Sequence, residues 1–128
     1  MEITVGMKGE TSLLVQKKDT AAEVGSGLLL VFSTPSMIGL MECAACKAIA
    51  EAIPEDKSSV GISLNVEHVS ATPVGMEVRA EAEVTEVDGK IITFHVSAYD
   101  EKGLIGEGTH KRALITVQRF LEKTYDKI

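Results

Sequence analysis

Between two prolines the chain reads Pro35-Ser-Met-Ile-Gly-Leu-Met-Glu-Cys-Ala-Ala-Cys-Lys-Ala-Ile-Ala-Glu-Ala-Ile53, with Pro54 next. Proline is favoured at a first helical position, where its missing N–H costs nothing, and it stops a helix that it follows. The spacing predicts one helix over residues 35–53, with Thr34 as the N-cap whose hydroxyl satisfies an orphan N–H. A helix this apolar on nearly all sides has to be wrapped by other structure rather than laid on a surface. Glu42 sits inside it, among Met37, Ile38, Leu40, Met41, Ala44 and Ala45. An unpaired buried carboxylate is costly enough that it shifts its pKa or finds a partner. Carboxylates held in this way are often acids or bases at work.

After the helix the hydrophobic period changes to two. Val60, Ile62, Leu64, Val66 and His68 share one face of a strand, and Gly61, Ser63, Asn65 and Glu67 share the other. A turn over residues 72–75 follows. Met76, Val78, Ala80, Ala82 and Val84 then alternate with Glu77, Arg79, Glu81, Glu83 and Thr85, which predicts a strand with one charged, wet face. Asp88-Gly89 suits a type I′ hairpin turn. A return strand over residues 91–99 and a last strand over residues 104–120 complete a meander. Residues 1–32 are less regular: 11–16 have β character, and 20–30 read as a flap or a short turn element. One helix enclosed by a curved antiparallel sheet is the hotdog arrangement, an α+β fold completed by a second subunit. The 128 residues make one such domain, residues 1–128.

Composition narrows the function. A net charge of −6 argues against a nucleic-acid partner, because phosphate binding needs a basic footprint. No apolar stretch approaches the roughly 18–20 residues of a membrane span, and the N-terminus lacks the features of a signal peptide, so no membrane association and a cytoplasmic location are expected. Cys43 and Cys46 form a C-x-x-C pair without a second ligand pair, so no metal site is expected. They lie too far inside the helix for a redox motif and read as small buried packing residues. No cofactor is implied.

His68 continues the inward face of its strand, and Glu42 projects from the helix that this face should cover. A carboxylate and an imidazole meeting in an apolar cleft would form an acid–base pair near neutral pH. The alternative is a core histidine satisfied by a carbonyl, with Glu42 at a solvated helix edge. Thr34 and Glu42 stand eight residues apart, about 12 Å along a regular helix, so they need a bridge or a second subunit to act together. His110 and Arg112 share a face of the last strand. Arg112 can pair with Glu81 or Glu83 across the sheet or meet an anionic ligand. His95 lies on the wet or partner-facing side.

Thr34-Pro-Ser-Met-Ile-Gly-Leu-Met-Glu42, Val66-Glu-His68-Val-Ser-Ala-Thr-Pro73, Val84-Thr-Glu-Val-Asp-Gly89 and Ile105-Gly-Glu-Gly-Thr-His110 together resemble the fluoroacetyl-CoA thioesterase-like branch of the hotdog superfamily. The resemblance covers roughly residues 31–121. It implies an acyl-CoA thioesterase with Thr34, Glu42 and His68 as catalytic residues, and with Gly61 and Arg112 near the substrate. The family's fluoroacetate-specific member carries an aromatic lid where residues 20–30 here have no aromatic side chain, so a general short-chain acyl group is the expected substrate. A homodimer with acyl-CoA as its ligand is implied. A non-catalytic acyl-CoA-binding protein and a hotdog hydratase or dehydratase are the rival readings, with a purely structural dimer module behind them.

Overall fold

The computed structural model describes residues 2–128. Strand β1 (Lys8–Leu14) is followed by a single 3-10 turn and a short helix, α1 (Ala21–Val24). The long helix α2 (Thr34–Ile49) comes next, then strands β2 (Lys57–His68), β3 (Glu77–Asp88), β4 (Ile91–Asp100) and β5 (Gly103–Thr116), and a terminal helix α3 (Val117–Tyr125). The strands form one antiparallel sheet in the order β1-β3-β4-β5-β2, so β1 and β2 are its edges. This is the hotdog arrangement. None of the helices is long and apolar enough to cross a membrane.

The alternation in β3 works as expected. Val78, Ala80, Ala82 and Val84 are buried under α2, and Arg79, Glu81 and Glu83 lie on the outer face. From the helix, Met37, Met41, Ala44, Ala45 and Ile49 are buried against the sheet. At roughly 1.5–3 kcal/mol for each large apolar side chain removed from water, this face is what docks α2. Only one face is covered, because α2 packs mainly on β1 and β3. Cys43 and Cys46 lie on the face turned away from the sheet and are exposed, contrary to the packing role expected for them.

Four local expectations are corrected. The helix N-cap is Ser33, whose hydroxyl accepts from the Ser36 N–H at 3.1 Å, so Thr34 is the first helical residue and not the cap. Helix α2 ends at Ile49, and a 3-10 turn (Ala50–Ala52) carries the chain to Pro54. The β3–β4 hairpin turns through Gly89 and Lys90, with Asp88 paired to Ile91. Gly89 has a φ of 61° and no non-glycine residue among those described has a positive φ, so the turn is not type I′, which needs positive φ at both central residues. The last strand stops at Thr116, and residues beyond it form α3, where Phe120 and Leu121 alternate with Arg119, Glu122 and Lys123 at helical spacing.

Candidate active site

Thr34 and His68 come from elements that the backbone ties together. The segment before α2 is pinned by a Thr20–Phe32 bridge, by the Phe32 N–H donating to the Thr72 carbonyl at 2.8 Å, and by the Ser33 N–H donating to the Asp19 carbonyl at 3.0 Å. Thr72 follows β2 closely in sequence, so the same ties bring the start of α2 against the end of β2. There the Thr34 Oγ1 lies 2.8 Å from His68 Nδ1. With the ring proton on Nε2, the hydroxyl donates and Nδ1 accepts. His68 Nε2 is buried and makes no hydrogen bond. Burial holds the His68 pKa below its ordinary 6.5, with the Ser70 backbone acting in the opposite direction. The imidazole is therefore a free base at neutral pH, in contact with a hydroxyl. The pair opens on a shallow cavity of about 300 Å³ between the α1 segment (Ala21, Ser26) and residues Val69 and Ser70.

The helix start offers fewer amide donors than a bare helix end. Pro35 has no N–H, and the N–H groups of Ser36 and Met37 go to the Ser33 hydroxyl and carbonyl.

Glu42 belongs to a second cluster, and the expected Glu42–His68 contact is not formed. Its Oε2 accepts from Arg112 Nη1 at 3.1 Å and lies 4.0 Å from His110 Nε2. Arg112 is buried on the inner face of β5, so it cannot reach Glu81 or Glu83 on the outer face of the sheet. Its Nε donates to the Ser59 hydroxyl at 2.9 Å and its Nη2 to the Ser59 carbonyl at 3.1 Å. His110 is sealed from solvent and stacked on Phe94, with ring centroids 5.9 Å apart. Burial is the main cause holding its pKa below 6.5; Arg112 adds to this, while the Ser63 backbone and Glu42 oppose it. At neutral pH the ring is uncharged, so its 4.0 Å approach to Glu42 is not an ion pair.

A β-bulge explains how the second cluster fits. The β2–β5 register shifts between Gly61 and Ser63, which makes Ile62 the extra residue and leaves it half exposed. The period-two reading put Ile62 on the inner face; the bulge puts Gly61 there instead, opposite Arg112. A β-carbon at Gly61 would run into Glu42 Oε2, so glycine is what lets the carboxylate lie against this strand. His95 is exposed and sits 3.3 Å from Glu107 on the outer face, away from both clusters.

Sequence reasoning placed Thr34, Glu42, His68, Gly61 and Arg112 but assigned nothing to His110 or Ser59. The shared face of His110 and Arg112 was visible as an i, i+2 pair; that the face is the inner one was not.

Comparison with known proteins places this geometry in a lineage. The sequence model of the family described as FlK, fluoroacetyl-CoA-specific thioesterase, matches residues 15–118. A fluoroacetyl-CoA thioesterase from Streptantibioticus cattleyicolor is 40% identical over 97 residues, covering 76% of this chain and 70% of that protein. A solved structure of the fluoroacetyl-CoA thioesterase FlK superposes with a TM-score of 0.94 at 32% identity, covering 100% of this chain and 99% of the other. A variant of FlK solved in complex with acetyl-CoA gives 0.91 at 32% identity, with 98% of each chain covered. The chain belongs to the FlK family of hotdog thioesterases.

Proposed function

We propose that this chain hydrolyses a short-chain acyl-CoA thioester, with the Thr34–His68 pair as the reacting centre and Glu42 as an assisting carboxylate. The observation that carries the reading is the 2.8 Å contact between the Thr34 hydroxyl and a neutral His68 beside an open cavity. His68 takes a proton from the Thr34 hydroxyl, or from a water that this hydroxyl holds, as the thioester carbonyl carbon is attacked. The C–S bond then breaks, and the proton passes from His68 to the departing thiolate. Acetyl-CoA in the FlK variant complex favours a small acyl group. So does the α1 segment, which brings no aromatic side chain to the cavity.

Gly61 leaves room beside Glu42 for an acyl group, and Arg112 serves the substrate by holding that carboxylate. Glu42 stands about 12 Å along the helix from Thr34, so the two act on one acyl group through a bridge or across two subunits. The homodimer is part of the proposal: β2 is a 12-residue edge strand with a free side, and a second copy would cover both that edge and the uncovered face of α2. Residues 1–128 act as one domain, and exposed free thiols at Cys43 and Cys46 suit a reducing, cytoplasmic location.

Free-thiol release across acyl-CoAs of increasing chain length tests the reading. The expected result is turnover that is fastest for two- to four-carbon acyl groups. Binding without thiol release would mark an acyl-CoA carrier, and change in the acyl chain with the thioester intact would mark a hydratase.

A further inference from the structure

Four polar groups converge on one atom, Arg112 Nη1, and only one of them has no stated part in the reaction. We infer that His110 is a positioning residue: its neutral ring fixes the Arg112 guanidinium so that one Nη1 hydrogen is delivered to Glu42, and it acts on turnover only through that carboxylate. The inference rests on the hydrolytic reading of the site.

The hydrogen-bond inventory requires this arrangement. His110 Nδ1 is 2.9 Å from the Ser63 carbonyl oxygen, which can only accept, so Nδ1 carries the ring proton. Nε2 is then a lone pair, and Arg112 Nη1, which can only donate, lies 3.2 Å from it. Nη1 carries two hydrogens. One goes to His110 and the other to Glu42 Oε2 at 3.1 Å. Ser59 takes the Nε and Nη2 hydrogens on the far side of the fork. Without an acceptor at the His110 position, the guanidinium is held by Ser59 alone at one end. It can then rotate to satisfy its freed hydrogen, carrying the Glu42 carboxylate with it. The ring is itself held on both sides, stacked at 26° on Phe94 and bonded to β2, so it transmits the position of the sheet to the carboxylate. A contact to one oxygen, Oε2, leaves Oε1 as the part of Glu42 to meet water or substrate.

The two amide side chains separate the ring's two nitrogens. In His110→Asn the amide takes the place of Nδ1 and cannot reach Arg112; in His110→Gln the longer side chain returns an oxygen near Nε2. His110→Asn is expected to lower kcat by roughly 30-fold with KM within about 3-fold, and His110→Gln to recover at least about 10-fold of that loss. In a Glu42→Gln background, His110→Asn is expected to change kcat by less than about 2-fold, since a residue acting through Glu42 has nothing further to lose. Equal losses in both backgrounds would overturn the inference and reduce His110 to a core residue. Imidazole ¹⁵N shifts of the unmutated protein give a reading that needs no variant and no substrate. A neutral ring protonated on Nδ1 is expected, and protonation on Nε2 at neutral pH overturns the proposal. Absence of thiol release by the unmutated enzyme across the acyl-CoA panel would instead remove the hydrolytic reading. Turnover combined with the wrong tautomer removes His110's role alone.

Discussion

The start of α2 and its middle carry polar clusters of opposite construction. At the start, Thr34 and His68 share a single hydrogen bond, Thr34 is exposed, and the second ring nitrogen of His68 is left without a partner. In the middle, Arg112 makes four hydrogen bonds, to Ser59, His110 and Glu42, within a mostly buried network. A lightly tethered base next to a hydroxyl is free to exchange protons with something bound in the cavity. A guanidinium whose donors are all taken is a clamp. The difference separates chemistry from order: the first pair should matter to turnover and little to stability, and the second to both.

The comparison breaks most visibly at His68. His68→Ala is expected to lower kcat/KM for a short acyl-CoA by about 10²-fold or more. Its unfolding free energy should stay within about 1 kcal/mol of the parent, since the ring is half-buried and contributes one hydrogen bond. Steady-state kinetics beside urea unfolding gives both numbers, and a large stability loss would erase the contrast with the middle cluster.

Arg112→Lys examines the other side. Lysine keeps the charge but has no fork, so it can hold at most one of the four contacts, and about 1 kcal/mol for each of the other three gives a loss of about 3 kcal/mol. Urea unfolding reads this directly. A variant as stable as the parent would show that the network is not a clamp.

The smallest effect concerns pH. His68 and His110 both have folded pKa values below the ordinary 6.5, so the unfolded chain binds protons that the folded one refuses. The stabilisation is present above 6.5 and is lost as pH falls from there through the folded values. Between about pH 7 and about pH 5 the parent should therefore lose more stability than His68→Ala, which has one such group fewer. A steeper loss in the variant would reverse the sign assigned to His68.

Much of this was legible in the sequence for identifiable reasons. Pro35 and Pro54 bracket the helix, and the strict alternation of β3 sorts its faces, because each signal depends on local geometry alone. The cap was misread because Ser33 and Thr34 are adjacent and both suited to the position; only the backbone decides between them. Cys43 and Cys46 were misplaced because the apolar character of α2 on all sides does not say which side the sheet takes. The Glu42–His68 pairing failed on the bulge at Ile62. One inserted residue turns Gly61 inward opposite Arg112, and nothing in a run of alternating side chains announces it. His110 was invisible as a site residue for the same reason: its partners arrive from β2, α2 and β4, and depend on register.

The central claim is that the Thr34 hydroxyl, in contact with His68, reacts, while the helix depends on Ser33 for its cap. Thr34→Val removes the hydroxyl, keeps the shape, and leaves the cap intact. Thiol release from acetyl-CoA by this variant, with its melting temperature measured alongside, is the most direct test. The account predicts a rate at least about 10²-fold below the parent with a melting temperature within a few degrees of it. A Thr34→Val protein that releases thiol at the parent rate would contradict it.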